Sequence, residues 1–156
     1  MNREAGRRGG GENIAQRARV AATTTGMKVV AAHVDVTEQI IGACIEVHRE
    51  LGPGLLESAY GLCLAHELTL RGVRFEQQRR LPLIYKGLCV PSGYRLDFVV
   101  EGCVVVEVKA VAQLLPVHEA QVLTYSKLTG LTVGLLVNFH VAAIRSGGLR
   151  RLSARP

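Results

Sequence analysis

The chain has 156 residues, of which 48% are hydrophobic, and a formal net charge of +6. That length and apolar content exclude a disordered polyelectrolyte and suit one domain with a full core, and no apolar run approaches the roughly 20 residues that span a bilayer, so the chain reads as soluble and cytoplasmic. The charge is uneven: residues 1–33 hold six Lys/Arg against two Asp/Glu, residues 145–156 hold four Arg and no acid, and residues 34–144 hold nine Lys/Arg against eleven Asp/Glu, a balance of +4, +4 and −2. Basic ends of this kind suit either a polyanionic partner or a solubilising role.

Residues 1–26 are rich in Gly, Arg and Thr without a usable period, so residues 1–33 read as a flexible basic arm ahead of a domain at 34–156. Met27 is a second candidate start. From Val36, apolar residues Ile40, Ile41, Cys44, Ile45 and Val47 recur at helical spacing, with Thr37 placed to cap and Glu38 in the first turn. Leu51-Gly-Pro-Gly54 ends this helix, and a second is expected from about Leu55 to Leu70, closed by Arg71-Gly72. Val73–Tyr85 reads as one long or bulged strand with Pro82 at an edge, followed by a turn at Lys86-Gly87.

Strands Tyr94–Val100 and Cys103–Val111 follow, joined near Glu101-Gly102. A helix from His118 to Leu128 ends at Gly130, the apolar stretch Thr132–Asn138 is a buried strand, and Val141–Leu152 is a weaker last strand. The order ααβββαβ(β) predicts an α/β fold, a mixed sheet flanked by helices. The four cysteines are widely spaced among apolar neighbours and form no CxxC pair, so they read as buried, reduced thiols and not as a zinc site.

The anomaly is "CVVVEVKAV". Five valines make Cys103–Val111 a buried strand, yet Glu107 and Lys109, two apart, point to one of its faces. Burying unpaired charge costs several kcal/mol on an order-of-magnitude scale. Asp97 lies one hairpin upstream in an equally apolar strand. With a two-residue turn at Glu101-Gly102, Asp97 and Glu107 would face opposite sides; a three-residue connection such as 100–102 or 101–103 would put Asp97, Glu107 and Lys109 on one side. Both registers are open at this level, although Gly102 suits the left-handed position of the longer loop.

Two carboxylates on adjacent strands make an oxygen-rich site for a hard divalent cation such as Mg²⁺, which acidifies water and neutralises phosphate charge. Lys109 could then orient or deprotonate the attacking water, or stabilise charge in the transition state. The bland alternative is a structural Glu–Lys pair near a strand end. On the second helix, Glu57, Tyr60, Gly61, Leu64 and Leu68 share a face, so Glu57 heads an apolar stripe, although an acid in a first turn also favours the helix N-terminus. On the later helix Gln121 and Tyr125 are i,i+4 neighbours.

The ordered set Asp97…Glu107-x-Lys109 on a hairpin, between helices, resembles the PD-(D/E)XK nuclease superfamily. Gly54-Leu-Leu-Glu57-Ser-Ala-Tyr60 resembles the G-x-x-E-x-x-Y signature of small bacterial GxxExxY proteins, and Gln121-Val-Leu-Thr-Tyr125 resembles the Q-x-x-x-Y motif of RecB-like members; the likeness spans about residues 36–152. The resemblance implies a restriction-endonuclease-like core, with Asp97 and Glu107 as metal ligands joined by Glu57, Lys109 as the catalytic lysine, Gln121 orienting the site, and Tyr125 and Tyr60 meeting substrate. It also implies a Mg²⁺ or Mn²⁺ cofactor and DNA as partner, with a homodimer or larger protein partner to add grip. Two departures stand out: Leu96 replaces the proline before Asp97, and His48, on the first helix, is the nearest candidate for the extra histidine ligand of RecB-like members. The expected activity is metal-dependent hydrolysis of DNA phosphodiesters; the alternatives are an inactive scaffold with this fold that binds nucleic acid or a protein partner, which the −2 middle segment favours, and a hydrolase of a small phosphorylated substrate.

Overall fold

In the computed structural model, which describes residues 14–91 and 93–154, the valine run becomes the central strand of a five-stranded mixed sheet. The elements run α1 (Ile14–Leu51), α2 (Glu57–Leu70), β1 (Phe75–Arg80), β2 (Leu83–Tyr85), β3 (Leu88–Val90), β4 (Arg95–Val100), β5 (Val104–Lys109), α3 (Pro116–Thr129), β6 (Val133–Asn138), a 3₁₀ turn (Ile144–Ser146) and β7 (Leu149–Ser153). The sheet order is β1-β4-β5-β6-β7, while β2 and β3 pair only with each other. β5 and β6 are parallel, connected by α3, and the other neighbours are antiparallel.

A central strand covered on both faces can be apolar throughout, and Val104, Val105 and Val106 are fully buried. Phe98, Val100, Val104, Val106, Leu135 and Val137 pack with Ile40, Cys44 and Val47 of α1 and Tyr60, Leu64 and Leu68 of α2. Val99, Val105 and Leu136 pack on the other face with Val122 and Tyr125 of α3. Each buried aliphatic side chain contributes about 1.5–3 kcal/mol. α3 lies so close to β6 that a Cβ at Gly134 would overlap the Val122 side chain. Gly134→Ala is therefore expected to destabilise the fold by about 1–3 kcal/mol through overpacking, read as a lower urea midpoint with an unchanged slope.

The fold class agrees with expectation, and the differences have local causes. α1 begins at Ile14, so residues 14–33, expected in a flexible arm, are helical; Ile14–Ala32 contains no proline and only Gly26 as a breaker. The rest of that arm, residues 1–13, lies outside the described residues. The chain divides into two units at His33, and the sheet belongs to the second. Thr37 is not a cap: inside the helix, its hydroxyl donates back to the His33 carbonyl at 2.6 Å.

The single strand expected over Val73–Tyr85 is two, because Leu81-Pro82 breaks the β1 ladder. Lys86 (φ 46°) and Gly87 (φ 86°) then form the tight turn of a separate β2–β3 hairpin. The last strand is shorter than expected, the chain first making a 3₁₀ turn at Ile144–Ser146. Of the cysteines only Cys44 is buried, its thiol pushed up to about 12 by desolvation. Cys63 and Cys103 are half-buried and Cys89 is exposed on the hairpin; none forms a disulfide among the described residues.

Candidate active site

The β4–β5 hairpin takes the three-residue loop 101–103. Val100 pairs with Val104, Val99 with Val105 and Phe98 with Val106. Glu101 (φ 49°) and Gly102 (φ 65°) are both left-handed. Glu101 is held in this unfavourable region by Arg74, whose backbone N–H (2.8 Å) and guanidinium (2.8 and 3.1 Å) donate to its carboxylate. Those bonds, the backbone one first, hold its carboxyl below the usual range.

Extended one step, this register puts Asp97 beside Glu107, but here the ladder stops. Asp97 Oδ2 accepts the backbone N–H of Val108 at 2.9 Å, a side chain standing in for a strand carbonyl. The alternation of β4 slips at the same point: Phe98 and Val100 face α1 and α2, whereas Leu96 joins Val99 on the α3 side. On β1, Gln78 has φ 54°, and its amide donates to Asp97 Oδ1 at 3.1 Å. Distortions in two neighbouring strands thus lift Asp97 out of the regular pleat. Sequence reasoning misses Gln78, whose only signal there is a polar pair, Gln77-Gln78, within a strand.

Glu107 is 3% exposed. Its Oε1 accepts from Lys109 Nζ at 2.8 Å, and its Oε2 is buried without a hydrogen-bond partner among the described residues. Burial, reinforced by repulsion from Asp97 and Glu57, pushes the Glu107 carboxyl up to about 7 against the opposing pull of Lys109. Burial alone would lower Lys109, but its bond to Glu107 and the charges of Glu107, Glu57 and Asp97 outweigh it and raise it. Lys109 is therefore a cation at neutral pH, and Glu107 is the member of the pair that titrates there.

A cavity of about 380 Å³ opens beside this constellation, lined by Glu57, Gly61, Gln77, Gln78, Arg95 and Asp97 among others. Glu57 is exposed, since it is the first residue of α2. Its charge acts on the pair, and among the described residues no three His, Cys, Asp or Glu side chains converge closely enough to hold an ion. The Gln121 amide donates to the Tyr125 hydroxyl at 2.7 Å. Tyr125 is buried at 3% exposure, edge-on to Tyr94, and feels the charges of Glu107, Lys109 and Asp97. His48 Nε2 bonds the Val141 carbonyl at 2.8 Å, and His118 Nδ1 accepts the Leu115 N–H at 3.0 Å, so both imidazoles are engaged locally.

Tyr60 is the clear correction to the expected substrate contacts. It is fully buried, its ring stacked on Phe139 at 4.5 Å. Its hydroxyl donates to the Gly52 carbonyl and accepts from the Leu55 N–H, fastening the Gly-Pro-Gly connection to α2. Tyr60→Phe is expected to cost about 1–3 kcal/mol, seen as a lower melting temperature.

A family model of the PD-(D/E)XK nuclease superfamily matches residues 34–152. The chain belongs to this superfamily. No curated protein and no solved structure matches it. Glu57, Asp97, Glu107 and Lys109 all lie within the matched span of this PD-(D/E)XK chain. Nucleases of the superfamily generally use divalent metal ions. The residues present fit one: Glu107 Oε2 is an unsatisfied buried carboxylate oxygen, and each Asp97 oxygen keeps a lone pair beyond its one hydrogen bond. Two carboxylates suffice for a cation that keeps several waters and takes phosphate oxygens. Asn138, missed in the sequence, secures the end of the site by accepting from the Val111 and His140 N–H groups and donating to the Val111 carbonyl.

Proposed function

We propose that the protein is a metal-dependent deoxyribonuclease in which Asp97 and Glu107 hold the divalent cation, Mg²⁺ or Mn²⁺, and Lys109 acts beside them. The observation that carries this reading is the buried, unpartnered Oε2 of Glu107, next to Asp97, on a strand that is valine at every position but Glu107 and Lys109. An uncompensated carboxylate oxygen at the core's edge is costly to stability. Its retention next to Asp97, which lines a cavity, points to a ligand. When bound, the cation would supply charge neutralisation at the scissile phosphate and acidification of water.

The chain's own groups divide the remaining work. The Val108 N–H and the Gln78 amide fix the Asp97 carboxylate in place. Because Lys109 is raised and charged, it acts as an electrostatic group and a donor, steadying the nucleophile or the phosphate charge, and not as the base. Glu57 keeps the entrance negative and sits within the field of the pair. Gln121 acts at one remove, by setting the Tyr125 hydroxyl. The G-x-x-E-x-x-Y stretch contributes through Tyr60 as a structural tie, and cytoplasmic action on DNA completes the reading.

The test is cleavage of single-stranded, duplex and branched DNA with Mg²⁺ or Mn²⁺ by wild type, Glu107→Gln and Lys109→Met. Wild type should cut at least one substrate, and both variants should lose about 10²–10³-fold or more. Activity surviving both substitutions would place the chemistry elsewhere. Absence of cleavage by wild type on every substrate, with no metal bound, would leave a nuclease-fold scaffold.

A further inference from the structure

β1 runs antiparallel to β4, and β5 antiparallel to β4 in turn, so the end of β1, the start of β4 and the end of β5 lie at one edge of the sheet. The β2–β3 hairpin is inserted at this edge. Its neck is tight: the Leu81 N–H donates to the Tyr94 carbonyl at 2.7 Å. A Cβ at Gly93 would run into the Leu81 carbonyl, so only glycine permits that approach. The hairpin is therefore anchored beside the catalytic cavity while making no ladder with the main sheet.

Its chemistry differs from that of the surrounding chain. Residues 79–95 contain Arg79, Arg80, Lys86 and Arg95 and no acidic residue, within a segment, 34–144, whose total is −2. Arg80 and Arg95 are directly opposed in the β1–β4 register and exposed. Neither forms an ion pair among the described residues. Arg95 lines the catalytic cavity and also a second cavity of about 600 Å³ beneath the hairpin, which Arg80 shares. At the tip, Tyr85 is 61% exposed with Lys86 Nζ 5.5 Å from its ring centre. Tyr94, also exposed, stands between this region and Tyr125.

We propose that the hairpin and the Arg80–Arg95 pair form a lane for an unpaired nucleic-acid strand leading into the catalytic cavity. Arg80 and Arg95 take its phosphates, and Tyr85 stacks on a base. The proposal deepens the nuclease reading of the Asp97–Glu107–Lys109 site and rests on it. Two features select a single strand over a duplex. The two cavities, which share Arg95, are of nucleotide size, and an exposed tyrosine beside a lysine offers stacking only to a base freed from its own stack. Free arginines next to a scissile position supply the positive charge that the acidic middle segment otherwise lacks.

The test is fluorescence anisotropy of a labelled oligothymidylate, in EDTA, with the full chain carrying Glu107→Gln so that nothing is cut. Arg80→Ala and Arg95→Ala should each weaken binding about tenfold and flatten the dependence of log K on log salt by about 0.7. Tyr85→Ala should weaken binding about tenfold with the salt slope unchanged, and Tyr85→Phe should restore it. A hairpin duplex of equal length should bind more weakly. Wild-type affinity and slope in all three alanine variants, or tighter binding of the duplex, would overturn the proposal. The cleavage assay stands apart: binding that shows this pattern without cleavage by the native chain would keep the lane and remove the nuclease.

Discussion

Glu107→Gln is expected to abolish cleavage and, in the metal-free protein, to raise stability. The carboxyl titrates near 4.5 when unconstrained and at about 7 in the fold, chiefly because burial disfavours the charged form. The folded state therefore holds this proton more tightly than the unfolded state. The stability linked to it is fully present below about pH 4.5, is lost as pH rises through the window from 4.5 to 7, and is absent above it. At one pH unit per 1.36 kcal/mol, the loss is up to about 3 kcal/mol. Glutamine keeps the shape and an oxygen for Lys109 but carries no charge, so urea unfolding in EDTA at about pH 8 should shift to higher midpoint in the variant. The advantage should shrink on acidification. A variant that is less stable than wild type at both extremes would mean that Glu107 is a satisfied structural residue.

Lys109→Met should be the opposite case. It removes the one partner of a buried carboxylate, leaving Oε1 as unsatisfied as Oε2 already is. Breaking a buried pair in this way costs about 3–5 kcal/mol where the remaining charge cannot escape. Here protonation of Glu107 offers an escape, so the destabilisation should be greatest in alkaline solution and relieved as pH falls. Adding Glu107→Gln to Lys109→Met should restore much of the loss, giving a large coupling energy in a double-mutant cycle. Additive effects of the two substitutions would show that the 2.8 Å contact contributes little. Both single variants should be inactive, which separates the catalytic requirement, shared by the two, from the stability effect, opposite in the two.

The fold was legible because its signals are long-range patterns: a valine run too apolar for a half-exposed strand, and helices bounded by Gly-Pro-Gly and Gly130. The relation of Asp97 to Glu107 was not, because it depends on one residue of loop length. Glu101 adopts a left-handed conformation that its residue type disfavours, and the support for it, Arg74, lies 27 residues away. Glu57 fitted an inward stripe by spacing, but a helix's first residue has no preceding turn to pack against, and it is exposed. Tyr60 carried two readings that spacing cannot separate, and the stacking on Phe139, a contact across about half of the chain, decides for the core. The hairpin strand β3 is three residues long, below what alternation can reveal. Gln78 and Asn138 act through side-chain hydrogen bonds and leave no periodic trace.

The most direct test of a metal site formed by Asp97 and Glu107 is calorimetric titration of Mn²⁺ into the wild-type chain and into Glu107→Gln at about pH 8. Wild type should bind Mn²⁺ at one site, with a rise in unfolding temperature that grows with metal concentration, and Glu107→Gln should show neither. Equal binding by the two proteins would contradict the site.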